Sequence, residues 1–135
     1  MVEITGSCLC GQLHYHGDVE IMGAANCHCD DCRKASGAAY LTNVFVKEDG
    51  LTIEGQQMQY MHKSDRGSDM TKVNCAECGS PVFGRNSARE GVVVLRAGSL
   101  DQKELIEPGM TVYASQKIPS TPLNEDLKIF DKMPS

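Results

Sequence analysis

Asn26-Cys27-His28-Cys29-Asp30-Asp31-Cys32-Arg33-Lys34-Ala35-Ser36-Gly37 places three thiols within six positions, spaced C-x-C-x2-C. On an extended segment, residues two apart leave the same face, so Cys27 and Cys29 point together. Asp30-Asp31 favours a turn or a helix start, which brings Cys32 back toward them. The three sulfurs then converge on one point. Three protein sulfurs with no evident fourth are the ligand pattern of a zinc ion that keeps one position open, and open positions are where zinc does chemistry. His28 is expected to point away from that position on the strand. It is read as a solvent-facing or hydrogen-bonded side chain, or else as a group that moves protons. Asp30 is expected to cap one or two helical turns ended by a left-handed Gly37, and Asp31 is read as a surface charge. Arg33 and Lys34 offset thiolate charge or hold an anionic substrate group.

Two more cysteine pairs lie on either side. Gly6-Ser7-Cys8-Leu9-Cys10-Gly11 carries a second C-x-C, and Cys75-Ala76-Glu77-Cys78-Gly79-Ser80-Pro81 carries a C-x2-C followed by glycine. The latter is the zinc-knuckle arrangement, in which backbone N–H groups point at sulfur and Gly79 takes up the required dihedrals. A thioredoxin-like redox pair would need a βαβ context with a helix starting at the motif, whereas here strand-like segments lie on both sides. The knuckle needs two further ligands, from Cys8 and Cys10 or from two of Cys27, Cys29 and Cys32. Pairing it with Cys8 and Cys10 uses each thiol once and leaves the triplet intact as a second site. The plainer alternative is one zinc and several buried free cysteines. The total of seven thiols is odd, so a complete disulfide framework cannot use them all.

A chain of 135 residues fits a single domain, here 1–135, with 115–135 as a mostly extended tail packed upon it. The core must be built largely from aliphatic residues, because there are three Phe, four Tyr and no Trp. The net charge of −5 argues against nucleic acid or an anionic membrane surface as the main partner. No apolar run approaches the ~18 residues of a spanning helix, and the start Met-Val-Glu-Ile-Thr lacks the regions of a signal peptide. These features predict a cytoplasmic protein, whose thiols are ligands rather than disulfides.

Period-two patterning dominates the remainder. Gln12–His16 puts Leu13 and Tyr15 on one face, with Gln12, His14 and His16 on the other. A turn at Gly17-Asp18 and a strand over Val19–Ala24 are expected next. Ala39–Val46 is the best strand candidate, followed by a hairpin-type turn at Glu48-Asp49-Gly50 into Leu51–Glu54. Further strands are predicted at Met58–His62, Met70–Asn74, Val82–Gly84, Gly91–Arg96 and Met110–Tyr113. Lys63–Asp69 contains no apolar residue and is read as an exposed loop. Leu100–Glu107 is read as a short helix and Leu127–Phe130 as a docking strip. Many short strands with little helix predict a mainly β domain.

The three cysteine blocks, Gly6–Gly11, Cys27–Gly37 and Cys75–Pro81, in this order resemble the glutathione-dependent formaldehyde-activating enzyme family, also called the centromere-protein-V/GFA domain. The resemblance runs from Gly6 to about Pro122. It implies coiled, mainly antiparallel sheets stapled by two Zn2+ per chain. Cys8, Cys10, Cys75 and Cys78 would hold a structural zinc, and Cys27, Cys29 and Cys32 the second, open one. His28 and Arg33 are further candidates for catalysis. The implied activity is that of a carbon–sulfur lyase, S-(hydroxymethyl)glutathione synthase, which condenses glutathione with formaldehyde. Its partners are then a small thiol and a small aldehyde, without nucleic acid or membrane, and a homodimer is compatible with the sequence. Lys117–Leu123 departs from the family's usual pattern in lacking the Trp often found after the proline. The rival expectation is a non-catalytic, zinc-stapled binding module with two structural metals, the fourth ligand of the second coming from His28 or a partner.

Overall fold

The computed structural model describes residues 1–134. Eleven strands and one short α-helix make up its regular structure, with three 3₁₀ turns. A three-stranded antiparallel sheet has the order β1 (Val2–Ser7), β2 (His14–Val19), β5 (Leu51–Glu54). An eight-stranded sheet runs from β11 (Lys128–Ile129) and β10 (Met110–Val112) through β3 (Ile21–Cys27), β4 (Leu41–Lys47) and β9 (Val92–Arg96). It continues through β8 (Pro81–Asn86) and β7 (Asp69–Cys75) to β6 (Gln57–Lys63) at the far edge. The helix α1 (Asp30–Ser36) follows β3 directly. The mainly β class read from the sequence is therefore correct.

The large sheet is not wholly antiparallel. Both β3 and β11 pair with β10 in parallel. Parallel neighbours require a crossover rather than a hairpin, and between β10 and β11 residues 113–127 provide it.

The core lies between the two sheets. Ile4, Leu13, Tyr15 and Val19 of the N-terminal segment meet Val44, Val46, Val73, Phe83, Val93 and Leu95 of the large sheet, all essentially inaccessible. Leu13 and Tyr15 are thus on the buried side, as their alternation predicts. The hydroxyl of Tyr15 donates to Ser99 Oγ at 2.8 Å, because the single Ser99 proton goes to the Arg96 or Val82 carbonyl.

Four local expectations are corrected. Gly17-Asp18 is not a turn but stays within β2, paired with Ile4 and Leu51, and the direction changes at Glu20. A glycine is needed there for contact rather than turning, since a Cβ would lie 1.9 Å from the Gly50 carbonyl oxygen. Glu48–Gly50 does turn, with Gly50 at φ 84°, but it joins no hairpin. Both edges of β4 are already taken by β3 and β9, so the chain passes to the other sheet and pairs with β2. Leu100–Glu107 forms only a 3₁₀ turn at Lys103–Leu105. Leu100 bridges to Gly6 and the Asp101 N–H donates to the Thr5 carbonyl, which takes the first residues of that segment into extended pairing. Finally, Cys29 caps α1, not Asp30, its sulfur accepting from the Cys32 N–H at 3.2 Å. Gly37 ends the helix at φ 73°, as expected.

Gly6 tests the joint between the sheets. An alanine Cβ would sit 2.2 Å from the Tyr15 ring and 2.4 Å from the Ser99 carbonyl oxygen. Gly6→Ala is expected to cost about 1–3 kcal/mol or more through overpacking, read as a lowered urea midpoint in metal-loaded protein.

Candidate metal centres and cavity

The first cysteine cluster is formed where the end of β1 meets the β7–β8 turn. The sulfurs of Cys8, Cys10, Cys75 and Cys78 all lie within 4.8 Å of one another. Cys8 and Cys10 are 3.6 Å apart, and Cys10 and Cys75 3.8 Å. A tetrahedral zinc with bonds of about 2.3 Å needs sulfur–sulfur edges of about 3.8 Å, so the donor set fits that ion. The turn is that of a knuckle: the N–H groups of Glu77 and Cys78 donate to Cys75 Sγ at 3.3 and 3.4 Å. The Leu13 N–H reaches Cys8 Sγ at 3.4 Å. Burial pushes the Cys75 thiol up, but the donors from Cys78, Gln12 and Glu77 outweigh it and bring it to about 7. Ser80 lowers Cys78 to about 5.

Gln12 is a residue the sequence reading left on a strand face. Its amide nitrogen donates to Cys75 Sγ at 3.3 Å and to the Gln56 carbonyl at 2.7 Å, while its amide oxygen accepts from the Gln56 N–H. One side chain thereby ties the cluster to the start of β6. Only its position beside Cys10 and Leu13 hinted at this.

The second cluster joins Cys27 at the end of β3, Cys29 at the helix cap and Cys32 one turn into α1. Their sulfurs again lie within 4.8 Å of one another, and no fourth histidine, cysteine or carboxylate belongs to the group among the described residues. Hydrogen bonds from the Cys27 and Cys29 thiols, against the opposing effect of burial, hold Cys32 down at about 3, with Lys72 and Arg96 adding positive potential. The same pairing with Cys29 and Cys32 pushes Cys27 up. At least one thiolate is therefore stable here at neutral pH, which suits a metal ligand set. Parallel pairing places Cys27 opposite Val112, and the His28 N–H donates to the Val112 carbonyl at 3.1 Å. Phe130 and Met133 of the C-terminal segment pack against the same cluster.

His28 does not face solvent. It is 2 % exposed, its ring stacks on Tyr40 at 4.6 Å, and its Nδ1 has no hydrogen-bond partner among the described residues. Burial and the nearby Lys117 lower its pKa, so the ring is neutral. The reason is the register: β10 covers the side of β3 that the sequence reading left open. Arg33 pairs with Asp30 at 3.2 Å, and neither Arg33 nor Lys34 lines the cavity described next. His14 and His16 lie near Glu54 on an exposed strand face.

A cavity of about 840 Å³ opens beside the triplet. It lies on the face of the large sheet opposite the core. Asn43 and Phe45 alternate with the buried Val44 and Val46, and Val94 and Arg96 alternate with Val93 and Leu95. Cross-strand register sets Asn43 opposite Arg96, and Arg96 Nη1 donates to Asn43 Oδ1 at 2.8 Å. Arg96 is only 8 % exposed and has no carboxylate within ion-pair distance among the described residues. Burial lowers its pKa while Cys32, Cys27 and Cys29 raise it, which makes the thiolate cluster its counter-charge.

The loop over 64–68 borders the cavity as a tight turn, with the Gly67 N–H donating to the Ser64 carbonyl. Asp65 is held by Tyr113, whose hydroxyl donates to the carboxylate, 2.8 Å from each oxygen. Tyr113 has φ 56°, a left-handed conformation that a bulky residue rarely adopts and that clusters at functional sites. Asp65, Arg66 and Gly67 are exposed, as expected of this loop, and Ser64, Asp65, Arg66 and Ser68 line the cavity.

Fold and site together define a two-sheet β protein with one four-cysteine and one three-cysteine cluster, each able to hold a metal ion. The sequence model of the family described as glutathione-dependent formaldehyde-activating enzyme matches residues 3–116, and the chain belongs to that family. Among solved structures, the chain is similar to a Rhodobacter sphaeroides protein with 19 % identity and a TM-score of 0.57. That match covers 77 % of this chain and 96 % of the other, and it supports the fold. No curated protein matches the chain.

The clusters differ in a way that can be measured. Zinc binding contributes on the order of 10–16 kcal/mol in finger peptides, comparable to a domain's whole stability. Cys75→Ser is expected to unfold the domain, whereas Cys32→Ser loses one metal and retains the β signal in circular dichroism. In the native protein, graded chelation should remove the triplet's metal first. Loss of both metals in one step with unfolding would contradict this.

Proposed function

We propose that the protein is a zinc-dependent enzyme of carbon–sulfur lyase type, joining a small thiol to a small aldehyde as in glutathione plus formaldehyde giving S-hydroxymethylglutathione. The observation that carries this reading is the three-sulfur cluster in the wall of a cavity, without a fourth protein ligand among the described residues. Family membership supports the same chemistry. Cys8, Cys10, Cys75 and Cys78 would hold a structural zinc, and Cys27, Cys29 and Cys32 a second one. At the second site zinc supplies a Lewis-acid position at which a thiol ionises readily or a carbonyl is polarised.

The chain's own residues supply the rest. Arg96, buried in the cavity wall, adds positive potential at Cys32. Arg66 and Lys72 line the cavity without ion-pair partners among the described residues, and they suit a thiol that carries carboxylates. They, rather than Arg33 and Lys34, are cations on the cavity wall that suit this anion-binding role. Phe45, Met22, Met70 and Met110 give the cavity adaptable apolar walls. Tyr113 holds Asp65 of the loop that borders it.

A non-catalytic module with two structural metals would need a fourth ligand on the second one. His28, the nearest candidate in sequence, has its ring against Tyr40, which favours the enzyme reading. A reducing compartment such as the cytoplasm suits seven free thiols. Among the described residues no helix is long and apolar enough to cross a membrane.

Uncatalysed condensation is rapid, so end-point assays are uninformative. Magnetisation exchange between glutathione and its hydroxymethyl adduct at equilibrium reads the catalysed rate directly. Protein carrying two zinc ions per chain is expected to accelerate that exchange in proportion to its concentration. Fully loaded protein that leaves the rate unchanged would favour the binding module.

A further inference from the structure

Adding a thiol to an aldehyde moves one proton as well as forming one bond. The sulfur loses a proton, its electron pair forms the C–S bond, the carbonyl π pair moves to oxygen, and that oxygen takes up a proton. No oxidant or co-reactant is needed, but a group able to carry the proton from sulfur to oxygen would speed both directions.

The cavity contains one such group that nothing above employs. His62, on the edge strand β6, is the one residue of that strand that is not exposed. It lines the cavity together with Asp31 and the three cysteines of the triplet. Its Nδ1 lies 3.1 Å from the Lys63 carbonyl oxygen and 3.9 Å from Asp31 Oδ2. A carbonyl can only accept, so Nδ1 carries the proton and Nε2 is left with its lone pair. That Nε2 is buried and has no hydrogen-bond partner among the described residues. Asp31 belongs to the first turn of α1, next to Cys32, and at 3.9 Å it sets a carboxylate beside the Nδ1 edge of the ring rather than a direct hydrogen bond. Tyr60, stacked at 6.0 Å, restrains the ring further. Buried polar atoms without partners are rare in folded proteins, and one in a cavity beside a reactive cluster is placed to meet a ligand.

Resting on the carbon–sulfur lyase reading, we propose that His62 is the catalytic proton carrier of this site, with Asp31 as its positioning residue. Nε2 takes the thiol proton as the sulfur attacks and returns it to the oxygen of the new hydroxymethyl group. In the reverse direction it takes the hydroxyl proton and protonates the departing sulfur.

His62→Gln, loaded with two zinc ions, tests this in the exchange experiment. The expected result is a rate lowered about 100-fold or more, with metal content and glutathione affinity unchanged. His14→Gln, altered on an exposed strand face, should behave as wild type. If His62→Gln exchanges as fast as wild type, the proton-carrier role is overturned and the enzyme reading survives. If wild type itself gives no acceleration, both are overturned. Nitrogen-15 NMR of the wild-type imidazoles gives a readout that does not depend on a folded variant. Neutral His62 should be the Nδ1–H tautomer, and an Nε2–H tautomer would overturn the assignment.

Discussion

A single constraint, the convergence of Cys8, Cys10, Cys75 and Cys78, decides how the two sheets can sit. Cys10 and Cys75 are 65 residues apart in sequence and 3.8 Å apart in space. One pair follows β1 and the other closes β7 onto β8, so any metal that holds both clamps the small sheet to the large one. Gln12 and Gln56 extend the clamp with three hydrogen bonds, to Cys75 Sγ and between each other. The core beneath is mostly valine and leucine, with Phe83 and Tyr15 as its aromatics among the described residues. Such a core gains less from burial than an aromatic-rich one. A metal held by the four cysteines would offset that difference.

With that clamp in place, the large sheet is free to use its two faces differently. One face packs against the small sheet with valines and leucines. The other presents Asn43, Phe45, Val94 and Arg96 to the cavity. Because side chains alternate strictly along a strand, the residues that stabilise and those that meet a ligand are neighbours in sequence yet lie on opposite sides of one layer. The triplet adds a third requirement, met by the parallel pairing of β10 with β3. That pairing places Val112 beside Cys27, buries His28 and carries Tyr113 to the loop that holds Asp65.

The metal clusters were legible in the sequence because their information is local. A C-x-C on a strand and a C-x2-C in a turn fix sulfur directions within a few residues, and seven thiols divide naturally into four and three. Strand positions were legible for the same reason. The cavity was not. His62 reads as one more residue on an alternating strand, and whether its side of β6 faces water or a wall depends on α1, which lies 26 or more positions earlier. Arg96 closes an apolar run and gives no sign that its guanidinium is buried in the wall of the cavity that the cysteines share. Gly17 looked like a turn because a glycine required for close approach and one required for bending are written with the same letter. The fate of His28 hinged on β10, more than 80 residues further along.

The spacing of these elements along the chain also sets an order of assembly during synthesis. The four-cysteine clamp has all its ligands once the polypeptide has emerged past Cys78. The cavity does not: its floor needs β9, its side needs β10, and Phe130 packs against the triplet only when nearly the whole chain is available. A nascent chain can therefore acquire its scaffold metal well before the second site has walls. The second cluster is left for a time as bare thiols beside an unfinished edge strand. Emergence of the segment around Phe130, rather than of the cysteines themselves, then marks the point at which the second cluster becomes sheltered.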